Sequence, residues 1–286
     1  MTNFSNKNRI KDRIFEFWGV ISTLIGIVLL VIFIGDIFVE GVTRIDGQFL
    51  KSLPSMFAKK AGVYPALMGS LWILFLTAII ALPIGVGAGI YLEEYGKKNW
   101  LSSLLEINIS NLAGVPSVIY GLLGLEIFVR VLGFGKSLLS GAMTLSLLVL
   151  PIVIVATREA IKAVPPSIRQ AAYGLGATKL QTIMTQVLPS SMGGILTGVI
   201  LALSRAIGET APVIVVGAAA YVGFAPESPM DEYSVMPIQI FDWISRPQEA
   251  FKVNAAAGII ILLFITIIMN GIAVYFRNKW QKKVKW

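Results

Sequence analysis

Neither cysteine nor histidine occurs in the 286 residues of this chain. Thiol chemistry, Cys/His zinc sites and histidine general-base catalysis are thereby excluded. Charge is scarce as well: 14% of the residues are Asp, Glu, Lys or Arg, against 56% with hydrophobic side chains. A soluble globular domain carries about 25% charged residues. Segments of alternating hydrophobicity, the mark of a transmembrane β-barrel, are missing. What fills the chain is a series of apolar runs that approach the ~20 residues needed to cross a bilayer as a helix. Backbone polar groups in lipid must be satisfied within each span, so the class is an all-α integral membrane protein.

Six runs read as transmembrane helices: about 18–39, 66–91, 112–132, 138–157, one within 195–222, and 255–276. Lys7, Arg9, Lys11 and Arg13 precede the first, as in a signal sequence. That run is longer than a signal h-region and no small-residue cleavage site follows, so it reads as an uncleaved span. Residues 1–17 are then a basic tail, 18–65 the first span with its loop, 66–276 the main membrane domain, and 277–286 a second basic tail. The net charge of +8 does not point to nucleic acid, because the charges cluster at helix ends. Six spans put both tails on one side, together with the 93–110 loop, marked by Glu93, Glu94, Lys97 and Lys98, and a polar segment at 158–190. That side holds fifteen Lys/Arg; the opposite loops hold seven. The positive-inside rule makes the richer side cytoplasmic.

Local signals refine the picture. Gly85 and Gly89 make a small-xxx-small pattern for close helix packing. Pro116 and its neighbouring glycines predict a kinked or closely packed third span. Glu126 and Arg130 are spaced as an ion pair near the outer interface. Gly135-Lys136-Ser137 imitates the end of a phosphate-binding loop, but Arg130 stands where that loop needs glycine and no strand precedes it. No ATP site of the chain's own follows. Pro165-Pro166 breaks any continuous helix, and Ser167 is placed to cap a new one. Met236 to Ile244, in an acidic outer loop at about 224–252, has the amphipathic pattern of an interfacial or partner-contacting helix. No paired catalytic carboxylates, nucleophile–base set or metal cluster is present, so an intramembrane enzyme is not indicated.

The most informative residues lie in the fifth span. Arg205 and Glu209 sit inside an apolar run, although one charge near a bilayer centre costs roughly 2.5–3.5 kcal/mol on insertion scales. In a helix their spacing puts both on one face, so they should point to the protein interior or a water-filled path. Arginine offers a planar fork of donors that suits an oxyanion. Glu209 would either hold Arg205 in place or weaken its grip so that an ion is released. The plainer alternative is that the two only pair with each other or with a partner subunit.

The polar segment 158–190 contains Gln170-Ala171-Ala172, Gly176-Ala177 and Leu188-Pro189. It resembles the coupling loop of ABC-importer permeases, with Gln170 where glutamate is usual and Gln186 where an aliphatic residue is usual. Tyr91-Leu92-Glu93-Glu94-Tyr95, the stretch Gly114 to Gly121, Ile152 to Ala160, and Ser204 to Pro212 together resemble the phosphate ABC-transporter permeases, the A type more than the C type. The resemblance covers most of the chain from about residue 66. It implies an ABC importer type-1 permease fold over 66–276, with Arg205, Glu209, Tyr120 and Ser117 along the substrate path. It implies ATPase coupling through Gln170, Ala171, Ala172, Gly176, Ala177, Leu188 and Pro189. The expected partners are a second, C-type permease subunit, a cytoplasmic ATPase dimer that uses ATP and Mg, an external phosphate-binding protein and the lipid bilayer. The chain itself would bind no cofactor, and inorganic phosphate would be the substrate. The rival readings are a permease for another oxyanion such as sulfate, or a secondary anion transporter working alone.

Overall fold

A computed structural model describes residues 2–96 and 99–281; Lys97, Lys98, Lys282, Lys283 and Lys285 lie outside them. Among the described residues every regular element is helical. α1 covers Thr2–Gly41 and α2 Gly47–Lys51. α3 runs over Tyr64–Ile90, and a π-helical turn, Tyr91–Tyr95, extends it. α4 (Trp100–Leu112) meets α5 (Ser117–Gly124, extended by a π-helical stretch Leu125–Val131) at a bend of 103°. α6 is Leu138–Lys162, α7 Pro166–Gly174 and α8 Lys179–Thr182. A π-helical turn, Ile183–Val187, joins α8 to α9 (Leu188–Gly208), after which come α10 (Ala211–Val216), α11 (Met236–Ser245) and α12 (Glu249–Gln281).

Five helical runs are long and apolar enough to cross a membrane by themselves. The bent pair α4–α5 makes the sixth crossing. Its start lies beside the Ile90 end of α3 and the Lys162 end of α6, where Glu106 of α4 meets Arg158 of α6. Its far end, Val131, is tied by residues 132–137 to the opposite end of α6. α1 meets the start of α12 at Gly41, against Ala256 and Ala257, and α12 runs back beside α9, where Asn270 pairs with Ser204; the face where α12 ends is the tail face. That tail face also carries α7 and α8; the opposite face carries α2, the segment before α11, and α11 itself.

Small residues set the helix spacing, as the glycine pattern predicts. A Cβ on Gly85 would lie 2.7 Å from Val153 Cγ1, and one on Gly89 2.7 Å from Thr157 Cβ, so α3 presses directly on α6. Gly194 and Gly198 of α9 lie against Ala160 and Ala156 on α6 in the same way. Without a hydrophobic drive between helices in lipid, close backbone approach and packing must hold the bundle together.

Several expectations are corrected. Much of the 93–110 stretch read as a loop is α4, opened by Asn99, whose side chain caps Ser102 N. The third span is therefore broken rather than kinked. Ser167 does not cap α7: Pro165 holds the cap position and Pro166 starts the helix, a first-turn site where the missing N–H costs nothing. Met236–Ser245 is helical as predicted; one face of α11 (Met236, Ile240, Trp243) is buried against α12 and Phe49, while Phe241 and Ile244 on the other side are exposed. The acidic loop before it is folded in: Leu138 N and Leu139 N donate to the carbonyls of Asp231 and Pro229, and Asp231 Oδ2 accepts from Glu227 N and Ser228 N. Glu126 and Arg130 do pair, at 2.9 Å on the exposed surface.

Candidate functional site: two broken spans around Arg205

Pro212 has no N–H, and in a continuous helix its ring would strike the carbonyl of Gly208. The fifth span breaks there. α9 stops at Gly208, Glu209 is extended (φ −76°, ψ 123°), and the helix resumes at Ala211. Arg205 therefore sits in the last turn of α9, where the helix dipole favours a cation. Glu209 lies beyond the helix, not one turn along the same helical face as the spacing predicts. The two still meet, with Arg205 Nε donating to Glu209 Oε1 at 3.1 Å. Only Nε is spent on this bond. Among the described residues Nη1 and Nη2 have no hydrogen-bond partner, and the Arg205 side chain is 40% exposed while Glu209 is 18% exposed. A guanidinium held from one side with its outer fork open is suited to receive a planar or tetrahedral oxyanion.

The break in the third span faces the break in the fifth. Tyr120, in the first turns of α5, is buried among Leu148, Val149, Ala202 and Ala206. Its hydroxyl donates at 2.8 Å to the carbonyl of Leu112, the last residue of α4, across the 113–116 turn. That satisfies one of the orphan carbonyls of a helix end. Gly121 brings α5 onto α10: a Cβ there would lie 2.8 Å from Pro212 Cα. Glu209 lines a narrow cavity of about 10 Å³ with Ser70, Ile73, Leu145, Ala206 and Val213, room for about one water. Arg205, Glu209 and Tyr120 are thus brought together level with the middle of α6. Ser117 lies one turn before Tyr120, half-buried, with no hydrogen bond to the other three among the described residues.

The second predicted constellation lies on the tail face. α7 exposes Gln170 and Ala171 and half-buries Ala172. Ala172 O accepts from Leu175 N and Ala177 N, which wraps the chain around Gly176. Gly176 has φ +83°, the left-handed region that costs other residues about 1–2 kcal/mol. Thr178 and Gln181 form a reciprocal capping box that starts α8. From there the helix runs unbroken through Leu188 and Pro189 to Arg205. Pro189 cannot donate to a carbonyl one turn earlier, and the π-helical turn Ile183–Val187 sits at that place. α8, its π turn and α9 therefore form a single lever between the tail face and Arg205.

Sequence reading missed the ion pairs that fasten this segment. Arg169 of α7 donates through Nε and Nη2 to Glu94 Oε1 (3.0 and 2.8 Å), through Nη1 to Val164 O, and through Nη2 to Ile161 O. Arg158 of α6 reaches Glu106 at 2.7 Å and Glu93 at 3.5 Å. Lys179 sits 4.7 Å above the Tyr95 ring. The available signal was two adjacent acids closing the second span and two arginines in the 158–190 segment, on the same side by topology.

Two interrupted spans meet around an open arginine, and a continuous helix runs from it to one face, an arrangement that suits a membrane permease. Known proteins agree. Residues 81–282 match the family described as "Binding-protein-dependent transport system inner membrane component". The chain is 32% identical to the "Phosphate transport system permease protein PstA 1" of Mycobacterium tuberculosis (strain H37Rv), over 94% of this chain and 89% of that one. It is 34% identical to PstA of Mycobacterium leprae, over 95% and 91%. It is 32% identical to "Probable ABC transporter permease protein YqgI" of Bacillus subtilis, over 83% and 79%. Among solved structures the fold is similar to the inward-facing MetNI methionine ABC transporter (TM-score 0.57, 16% identity, 77% of this chain and 94% of that one) and to a bacterial ABC transporter that imports alginate (TM-score 0.63, 13% identity, 95% and 99%). The chain belongs to the binding-protein-dependent transport system inner-membrane component family, and is a multi-pass membrane permease of the ABC importer type-1 fold.

Proposed function

We propose that the chain is the A-type permease subunit of an ATP-driven importer of inorganic phosphate, and that it shares the translocation path with a second, C-type permease subunit. The observation that carries this reading is near full-length similarity to two proteins named as phosphate permeases, at 32% and 34% identity over 94% and 95% of the chain. The chemistry of the site supports it: phosphate needs a permanent cation with several fixed donors, and Arg205 offers Nη1 and Nη2 to the open side. Glu209, on Nε, limits the grip on the ion, because a conduction site must also let go. Tyr120 lines the same place and Ser117 lies one turn away.

On this reading the tail face is cytoplasmic, as the Lys/Arg bias favours, in the plasma (inner) membrane of a prokaryote. An ATPase dimer docks on α7 and α8 and supplies the ATP and Mg²⁺ chemistry; this chain is a transport subunit rather than an enzyme. An external phosphate-binding protein delivers the ion to the opposite face. ATP closes the ATPase dimer, the segment Gln170–Pro189 moves with it, and the spans rock to open an outward cavity around Arg205. Hydrolysis restores the inward state. ATP biases these states only through contacts that differ between them, which is the work of the coupling segment.

The test is to purify the chain with its partners and measure labelled phosphate uptake in liposomes. ATP-dependent uptake that excess sulfate does not compete is expected. Uptake without a copurifying ATPase, or full competition by sulfate, would overturn the reading.

A further inference from the structure

Two adjacent glutamates at the inner end of the α3 run point in different directions. Glu94 faces α7 and is 7% exposed, held by both Nε and Nη2 of Arg169, itself 19% exposed. Glu93 faces α6 and shares Arg158 with Glu106 of α4. The turn that carries them, Tyr91–Tyr95, is π-helical, a local widening found often at functional sites. Arg169 also holds the carbonyls of Ile161 and Val164 at the end of α6, one turn from Arg158. α7 is thereby fastened to the α3 run and α6, and α6 is fastened to α4.

α4 leads onward. Its last carbonyl, Leu112 O, receives the Tyr120 hydroxyl, and Tyr120 packs on Ala202 and Ala206 either side of Arg205. The links run from Arg169 to Glu94, through its neighbour Glu93 to Arg158 and Glu106, and along α4 and Leu112 to Tyr120, which shares an apolar cluster with Ala202 and Ala206, the latter next to Arg205 in α9. One of these joints is loose. Arg158 holds Glu106 at 2.7 Å but Glu93 at 3.5 Å, and its buried Nε has no hydrogen-bond partner among the described residues. A guanidinium with two carboxylates in reach and a spare buried donor has a second arrangement, in which it grips Glu93 and releases Glu106. Coupling needs such a two-state element.

We propose that Glu93, Glu94, Arg158 and Glu106 are positioning residues that form a second transmission route from the coupling segment to the substrate site, parallel to the α8–α9 lever. The lever moves Arg205. The ion-paired route moves α4 and, through the α4–α5 bend, Tyr120 opposite it. Displacement of α7 shifts Glu94, the π-helical turn carries Glu93 with it, and Arg158 changes partner. This inference rests on α7 and α8 being driven by an ATPase, and it does not depend on which ion is carried.

The absence of cysteine in this chain makes the test clean. Spin labels on Ser102→Cys (α4) and Lys162→Cys (α6) report the α4–α6 distance by electron–electron resonance in the complete permease–ATPase complex. With the ion pairs intact, the distance should shift when ATP is added to a hydrolysis-deficient ATPase. In Glu94→Gln the shift should be lost while ATP binding by the complex remains. Glu106→Gln, which leaves the Arg169–Glu94 pair untouched, should lose it too, and Glu106→Asp, which keeps a carboxylate for Arg158, should retain it. No shift in the parent complex, or the same shift in both glutamine variants, overturns the proposal. A failure of phosphate uptake with the distance change intact would instead count against the phosphate reading alone.

Discussion

Arg205 donates to Glu209 through Nε alone, and the direction of that bond decides what the side chain does. A guanidinium gripped on both Nη atoms would be a structural brace; gripped on Nε, it presents its fork outward. Replacing Arg205 with Gln removes charge and fork together, and uptake in vesicles should fall to background while the complex still copurifies. Arg205→Lys keeps a point charge without the planar fork, so partial uptake with a raised half-saturation concentration is expected. Normal uptake by Arg205→Gln would reduce the Arg205–Glu209 pair to a structural contact. On the tail face, Gly176 is fixed by its φ of +83° rather than by crowding, since nothing lies within 4 Å of its Cβ position. Gly176→Ala then costs about 1–2 kcal/mol of local backbone preference. Transport per ATP hydrolysed should drop while the bundle's thermal stability stays unchanged; equal ratios in variant and parent would contradict this.

At the scale of elements, the bundle depends on glycine contacts along α6. Gly89→Leu would drive a side chain into Thr157 and the Ile154 carbonyl, an overpacking that costs typically 1–3 kcal/mol. The expected result is a lowered unfolding midpoint in detergent, measured by a fluorescence melt, whereas Gly87→Leu, which meets nothing within 4 Å, leaves it in place. These contacts were legible in the sequence because a small-xxx-small pattern repeats with the helix. The breaks were only half legible. Pro83 and Pro151 lie inside continuous helices, whereas Pro212 ends one; a proline marks a possible break, and packing decides. Pro212 is pinned against Gly121 of α5, which fixes the gap between α9 and α10. α4 was lost because its Ser, Asn and Glu residues, which face a polar crevice beside Arg158, read as an aqueous loop. The pairs Arg169–Glu94 and Arg158–Glu106 join residues far apart in sequence, which no periodicity reveals.

Over the whole molecule, one geometric fact organises the rest: both interrupted spans have their gaps at the same depth, and each is tied to the same face. Gly208–Thr210 is reached from α8 through a continuous helix, and 113–116 from α7 through ion pairs. A single cysteine at Ser167 should accordingly be labelled by a membrane-impermeant reagent only from the side of the ATPase, and one at Ser55 only from the opposite side; labelling of both from one side would refute the six-crossing arrangement. The central claim is that ATP drives an anion past Arg205, and the most direct measurement is phosphate uptake by proteoliposomes holding the complete complex, parent beside Arg205→Gln. ATP-dependent uptake in the parent, none in the variant and equal subunit content in both is the predicted result. Equal uptake in the two would contradict it.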